Sequence, residues 1–563
     1  MFGEKQATLF TKGQAKTSAT VSSKSKNAFV TGGRQKAAQA FSGNGAPKYS
    51  TTGNSFVDQF GSISSYKAPR PFATIESDCE ALWAENKLLA VCFIFYLRMI
   101  TRVVQLFDGT STSISQKGAE LKHESIMRML WLSQKAPKTF IKNIGLFVSV
   151  GSWQDIIKMF QYDLVYHGWD KKVLNWTEMG DLILSGLKNE KTCNLVKKYL
   201  PQIKANSTCH TIEAQADNII AKWICSLLYG PKENSYNYAK YRKMKSSGTA
   251  HQWQQLISQC KFNEIDFNKI HGRALNKLVK GKFLGNNGLT EVYAKWIGKD
   301  ETVAKFTGFV HELFAKLPGS LSSMPKYEQD TINKQFETVV LKAKDVPTDT
   351  KLIVVRDTSS SMTYNAVGTT MTSYNVAKAM ALYFSAFLEG PFADAYIEFD
   401  NKATLREWKG TTALERWFND RADAYGTTNF LGVIDLFIEL KRKGVPLADF
   451  PTGIVCMSDM QFNVPGNDAG QKTNFIKAKE KLKAAGFPQD YIDNFVFVFW
   501  WISNSYYGKL VPGFETFGDV PNVFYLSGYS ASVVSFLLTG KATNAAELFG
   551  EAMNQEVLGM IQL

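Results

Sequence analysis

Three short stretches of this chain carry oxygen-bearing side chains at spacings that suit metal chemistry. VVRDTSSSMTYN, residues 354–365, runs an apolar segment into Asp357 and then into hydroxyls at Ser359 and Ser361. Further along, GTTNF (426–430) presents Thr428 just ahead of a helical pattern, and IVCMSD (454–459) ends on Asp459. Two carboxylates and three hydroxyls, with no His or Cys close by in sequence, make a hard-oxygen donor set. Mg²⁺ is the cation that such a set suits, with Mn²⁺ or Ca²⁺ as alternatives. Mg²⁺ takes six oxygens at about 2.1 Å and usually retains water. Five side chains, some acting through water, leave a position open for an acidic group of a partner or another oxygen ligand.

The surrounding sequence says what must position these oxygens. From about Thr348, KLIVVRD, DAYIEFD, GIVCMSDM, NFVFVFWWIS and NVFYLSG read as strands. They alternate with helical stretches: SYNVAKAMALYFSAFL, NFLGVIDLFIELKRKG, KTNFIKAKEKLKAAG, SASVVSFLLTG and NAAELFGEAMNQEVLGMI. Mostly apolar strands alternating with helices predict a doubly wound α/β domain with a parallel sheet over residues 346–563. Ligands of such sheets bind at the C-terminal ends of the strands, where Asp357 and Asp459 fall. An enzyme would need a nucleophile, a base and an oxyanion stabiliser together. The six histidines are scattered, and no HExxH, GxSxG or GxxxxGK[ST] occurs, so the expectation is a protein without catalytic activity.

Upstream, residues 51–345 show amphipathic helical patterns with polar breaks, among them HESIMRMLWLSQ, PKTFIKNIGLFVSVG and QADNIIAKWICSLLYG. Helix pairs in series predict an all-α, HEAT-like helical-repeat solenoid, although no strict repeat period is present. Residues 1–50 are rich in Ser, Thr, Gly, Ala and Lys and read as a basic flexible tail. The formal net charge of +14 makes a polyanion the expected partner, nucleic acid first. The seven cysteines contain no CxxC pair and fit a reducing, cytoplasmic compartment. The most apolar window, Leu88–Ile100, falls short of the ~20 residues a bilayer needs and reads as a buried helix, so no membrane association is expected.

Asp357-x-Ser359-x-Ser361, Thr428 in GTTN and Asp459 at a strand end resemble the metal-ion-dependent adhesion site of von Willebrand factor A domains, in the same order. In the helical part, NGAPKYSTTGNSFVDQF (44–60), VGSWQDI (150–156) and YRKMKS…W…FNEIDFNKIHGRALNKL (241–278) are similar to TROVE-type proteins, relatives of the Ro autoantigen. Many relatives carry an Asp after the Arg that ends the first core helix, and this chain lacks it after Arg98, so no site is carried over from that region. The resemblance implies a monomeric ribonucleoprotein component that holds structured or misfolded RNA on a basic helical ring. Basic clusters that could hold single-stranded RNA are Lys197, Lys198 and Lys204, then Lys240, Arg242, Lys243 and Lys245, then His271, Arg273, Lys277 and Lys280. The alternative is an interaction scaffold whose metal captures an acidic residue of a protein partner, including a viral structural or virion-packaged protein.

Overall fold

The computed structural model describes residues 39–63, 70–105, 113–168, 170–248, 252–270, 272–344, 351–388, 392–420, 424–464, 472–503, 513–530, 536–538 and 540–563. Most of the expected basic tail, His271 and most of the expected helix SASVVSFLLTG lie outside them. Helices dominate the N-terminal part, and a mostly parallel sheet with flanking helices follows in the C-terminal part. Residue contacts group the chain differently from its linear order. One compact unit runs to Ser65 and resumes over Ile270–Asn554; the other comprises Tyr66–Lys269 and Gln555–Leu563.

In the second unit, helices follow one another from Phe72–Glu85 to Gln252–Ser258. The apolar window forms the helix Lys87–Arg98, capped by Asn86 Oδ1, which accepts from Leu89 N at 3.0 Å. Its residues from Ala90 onward are buried. No described helix is long and apolar enough to cross a membrane. Arg98 at its end is buried and donates to Asp155 Oδ2 at 2.6 Å. Asp155 also accepts from Ser152 N at 2.9 Å, the capping box of the helix Trp153–His167. A side chain at Gly151 would collide with both partners, 2.2 Å from Asp155 Oδ2 and 2.8 Å from Arg98 Nε. VGSWQDI is thus a structural lock, and Arg98 finds in Asp155 the carboxylate that its own neighbour does not supply. Within this unit the sequence carried no signal for strands β3 (Arg102–Gln105) and β4 (Ser113–Gln116), which pair as an antiparallel hairpin among the helices. The chain's last residues return here, Gln562 N donating to Asn143 Oδ1 at 2.9 Å.

The first unit holds a six-stranded sheet. Its strands are β5 (Leu352–Asp357), β6 (Ala395–Phe399), β7 (Ala403–Glu407), β8 (Gly453–Ser458), β9 (Val496–Trp501) and β10 (Val523–Ser527), in the order β10-β9-β8-β5-β6-β7. All pairs are parallel except β6 with β7. β5 and β8 are buried throughout, as their unbroken apolar runs require. The helices Val310–Leu313 and Lys326–Lys344 pack against Ser373–Phe387 in this same unit. Residues 39–50, read from the sequence as part of the tail, also belong to it. β1 (Gln39–Phe41) and β2 (Pro47–Tyr49) form an antiparallel hairpin, followed by the helix Ser55–Phe60. Asn54 caps that helix, and Asp58 accepts from Thr52 N at 2.6 Å, which accounts for the polar residues of STTGNSFVDQF.

Beside Asp357, Arg356 points into a fully buried cage. Its guanidinium lies 5.1 Å from the ring centre of Tyr374, 5.0 Å from Tyr396 and 5.8 Å from Trp408, and donates to Asp420 at 2.6 and 3.3 Å. Burial opposes ionisation of Asp420, but the charge and hydrogen bonds of Arg356 prevail and hold its carboxyl at about 2. A depressed carboxyl contributes stability above its unfolded value of about 4, and that contribution is lost as pH falls toward 2. Asp420→Ala leaves the buried guanidinium with the more distant Glu398, 3.6 Å away, as its ion-pair partner among the described residues and is expected to cost about 3 kcal/mol. The measurement is urea unfolding of the full chain at pH 7 and at pH 3; an unchanged midpoint in the variant at pH 7 rules the pair out as a stabilising element.

Candidate metal centre

Asp357 ends β5, and Asp459 directly follows β8, its parallel neighbour, so both carboxylates leave the sheet at the same edge. Strand order reverses beside β5, with β6 on one side and β8 to β10 on the other. This is where an open α/β sheet has its ligand crevice. Asp357, Ser359, Thr428 and Asp459 are all buried, at 0–1% exposure, and Ser361 is half-buried. Asp357 Oδ1 accepts from Ser359 N at 2.8 Å and Oδ2 from Ser458 Oγ at 2.5 Å. Ser359 Oγ lies 3.2 Å from Ser361 Oγ. The third loop is tied to the first: Ser360 Oγ donates to Gly426 O at 2.8 Å and Tyr425 N to Thr358 O at 2.7 Å. Gly426 has φ +77°, and a Cβ there would meet Asn401 Nδ2 at 2.7 Å, which explains the glycine of GTTN.

Burial, and then the charge of Asp459, push the Asp357 carboxyl up to about 7. Among the described residues Asp357 has no ion-pair partner. Two buried carboxylates, one of which raises the cost of ionising the other, flanked by hydroxyls, are a donor set that a hard divalent cation fits. Among the described residues no group of three or more His, Cys, Asp or Glu gathers as a metal site; a cation held between Asp357 and Asp459 would draw the rest of its protein donors from hydroxyls.

Several residues around the site carried no signal in the sequence. Asn463 N donates to Thr428 O at 2.9 Å, and its side chain accepts from Thr428 N at 3.3 Å and donates to Thr427 Oγ1 at 2.8 Å. Lys48, counted in the tail by sequence, is buried; burial lowers its ammonium to about 8 against the opposing pull of Glu515 and Asp459. Burial also pushes Glu515 up to about 7, although backbone donation opposes it, Phe475 N donating at 3.0 Å.

The basic candidates divide between the two units. Lys197 and Lys198 lie in the last turn of the helix Cys193–Tyr199, which contacts the helix Ser235–Ser246 carrying Lys240, Arg242, Lys243 and Lys245. Lys198, Lys204, Lys240, Arg242 and Lys243 are exposed. The Lys240 ammonium sits 4.3 Å from the ring centre of Tyr236, itself 66% exposed. In the other unit, Arg273 donates to both Glu312 oxygens at 2.6 and 2.8 Å, and Lys280 donates to the carbonyls of Leu313 and Ala315. Lys277 is exposed. His271 lies outside the described residues.

Residues 351–559 match a family described as a domain of unknown function (DUF7788), a span that includes all five candidate ligands but not the hairpin at 39–49. No curated protein matches the chain.

Proposed function

We propose that this chain is a non-catalytic RNA-binding protein of TROVE-type build, a HEAT-like helical-repeat module joined to a doubly wound von Willebrand factor A-type domain. The observation that carries the RNA reading is that Lys198, Lys240, Arg242 and Lys243 are exposed on abutting helices, with the Lys240 ammonium against the exposed ring of Tyr236. Cations that meet phosphates next to an open aromatic face are what single-stranded RNA requires. The net charge of +14 supports the same partner. All seven cysteines are free thiols, which fits a reducing compartment. In the A-type domain Asp357, Ser359, Ser361, Thr428 and Asp459 hold Mg²⁺, or Mn²⁺ or Ca²⁺. The cation, when bound, would supply an open coordination position for an acidic oxygen.

The test is a binding titration of the purified full chain with a single-stranded RNA oligonucleotide at several salt concentrations. The expected result is affinity that falls steeply and linearly on a log–log plot. Salt-insensitive binding, or none, removes the RNA reading. A second reading, capture of an acidic residue of a protein partner, is favoured by the exposed Tyr364 and Tyr425 on the loops that carry Ser361 and Thr428. EDTA and Asp357→Ala should then release such a partner equally.

A further inference from the structure

We infer that residues 42–46 of the N-terminal hairpin are positioning elements of the candidate metal centre, and that cation binding and hairpin docking strengthen one another. The inference rests on the reading of Asp357 and Asp459 as cation ligands. It concerns a segment that lies outside the matched span and more than 400 residues upstream of the loop it holds.

The contacts run in an unbroken chain. Gly43 N donates to Gln461 Oε1 at 2.5 Å, and the Asn44 side-chain amide donates to Gln461 O. Gln461 in turn donates from its backbone N to Asp459 Oδ1 at 3.2 Å and from Nε2 to Asp459 O at 3.2 Å. One glutamine therefore grips the candidate ligand at one end and the hairpin at the other. Ser42 Oγ donates to Phe462 O at 2.7 Å, in a buried position, and accepts from Ala46 N at 2.9 Å. Gly45 bridges Asn463, the residue that ties the Thr428 loop to the Asp459 loop. The hairpin thus reaches two of the five candidate ligands through one intermediary each.

The loop it holds has a backbone that needs holding. Met460, between Asp459 and Gln461, has φ +59°, a left-handed conformation that a side chain such as methionine adopts at a cost. Ser458 Oγ accepts from Met460 N at 2.9 Å on the inner side, and the hairpin secures the outer side through Gln461 and Phe462. When the hairpin is released, the Gln461 side chain loses its outer anchor, the turn it braces against Asp459 O loosens, and the Asp459 carboxylate loses the fixed Gln461 N–H that orients it. By thermodynamic linkage, a cation that prefers the oriented carboxylate must also favour the docked hairpin by the same factor.

The experiment uses the full chain and Mn²⁺ as the probe, with binding followed by electron paramagnetic resonance and hairpin docking by limited proteolysis within residues 39–49. In the wild type, Mn²⁺ should slow cleavage of the hairpin. Gln461→Ala and, separately, Asn44→Ala should weaken Mn²⁺ binding by about ten-fold, within the usual range of coupling between sites. The proteolysis arm needs no variant, so it stands even if a variant folds poorly. Mn²⁺ binding with hairpin cleavage unchanged, and with both variants binding as the wild type does, overturns the coupling and leaves the cation reading intact. A wild-type chain that takes up no Mn²⁺ overturns both.

Discussion

Asparagine at position 357 is expected to raise the unfolding temperature of the metal-free chain and, in the same protein, to abolish the rise that Mg²⁺ gives the wild type. The two effects have one origin. Asp357 is fully buried and faces the charge of Asp459, so the ionised pair is costly at neutral pH. Asparagine keeps the shape. Its carbonyl can still accept from Ser359 N, and its amide can donate to the one lone pair of Ser458 Oγ that Met460 N leaves unused. Removing one of two repelling carboxylates should stabilise the metal-free chain by about 1–2 kcal/mol, a shift of a few degrees for a domain of this size. A cation compensates the same repulsion in the wild type. At 100 times its dissociation constant it adds about 2.7 kcal/mol. Losing a direct ligand should weaken binding by at least about 100-fold, the upper end of what outer-shell changes cost. Differential scanning fluorimetry in EDTA and in Mg²⁺ reads both arms. An equal Mg²⁺ response in Asp357→Asn and wild type rules Asp357 out as a ligand, and a large loss of stability in EDTA rules out the strained pair.

The placement of Asp357 and Asp459 was legible in the sequence because both stand where buried strands stop. The apolar runs of β5 and β8 fix both strands, and parallel pairing then brings Asp357 and Asp459 to one edge without further information. The apolar helix Lys87–Arg98 was legible for the same reason, since its burial follows from composition. What escaped is held together by partners distant in sequence. The hairpin at 39–49 has few large apolar residues and docks through backbone and amide hydrogen bonds to Gln461, Phe462 and Phe514, which leave no periodicity to read. β7 escaped because it is an exposed antiparallel edge with no alternation of buried positions. The helices from Gly272 to Lys344 were legible as amphipathic, but nothing local shows that they join the compact unit that holds the sheet. Charge was the least legible property. Arg273 and Lys280 read as free cations in sequence, yet one pairs with Glu312 and the other caps backbone carbonyls.

That difference between engaged and exposed cations decides where RNA binding should fail. Alanine at Lys198, Lys240, Arg242 and Lys243 together is expected to weaken binding of single-stranded RNA by about 100-fold near physiological salt and to flatten the log–log salt slope by roughly 2.8, the counterions of four phosphate contacts. All four side chains are exposed on abutting helices of one compact unit, so stability should stay within about 0.5 kcal/mol of wild type. Tyr236→Ala separates stacking from charge. Its ring is 66% exposed, and its loss should weaken binding by about 1–3 kcal/mol while leaving the salt slope unchanged. Arg273→Ala serves as the contrast, because its guanidinium is already held by Glu312 and should release few counterions. If the fourfold variant keeps the wild-type slope while Arg273→Ala loses it, RNA lies on the other unit. If both keep it and EDTA releases a protein partner, the metal centre rather than the basic surface is where this chain meets its ligand.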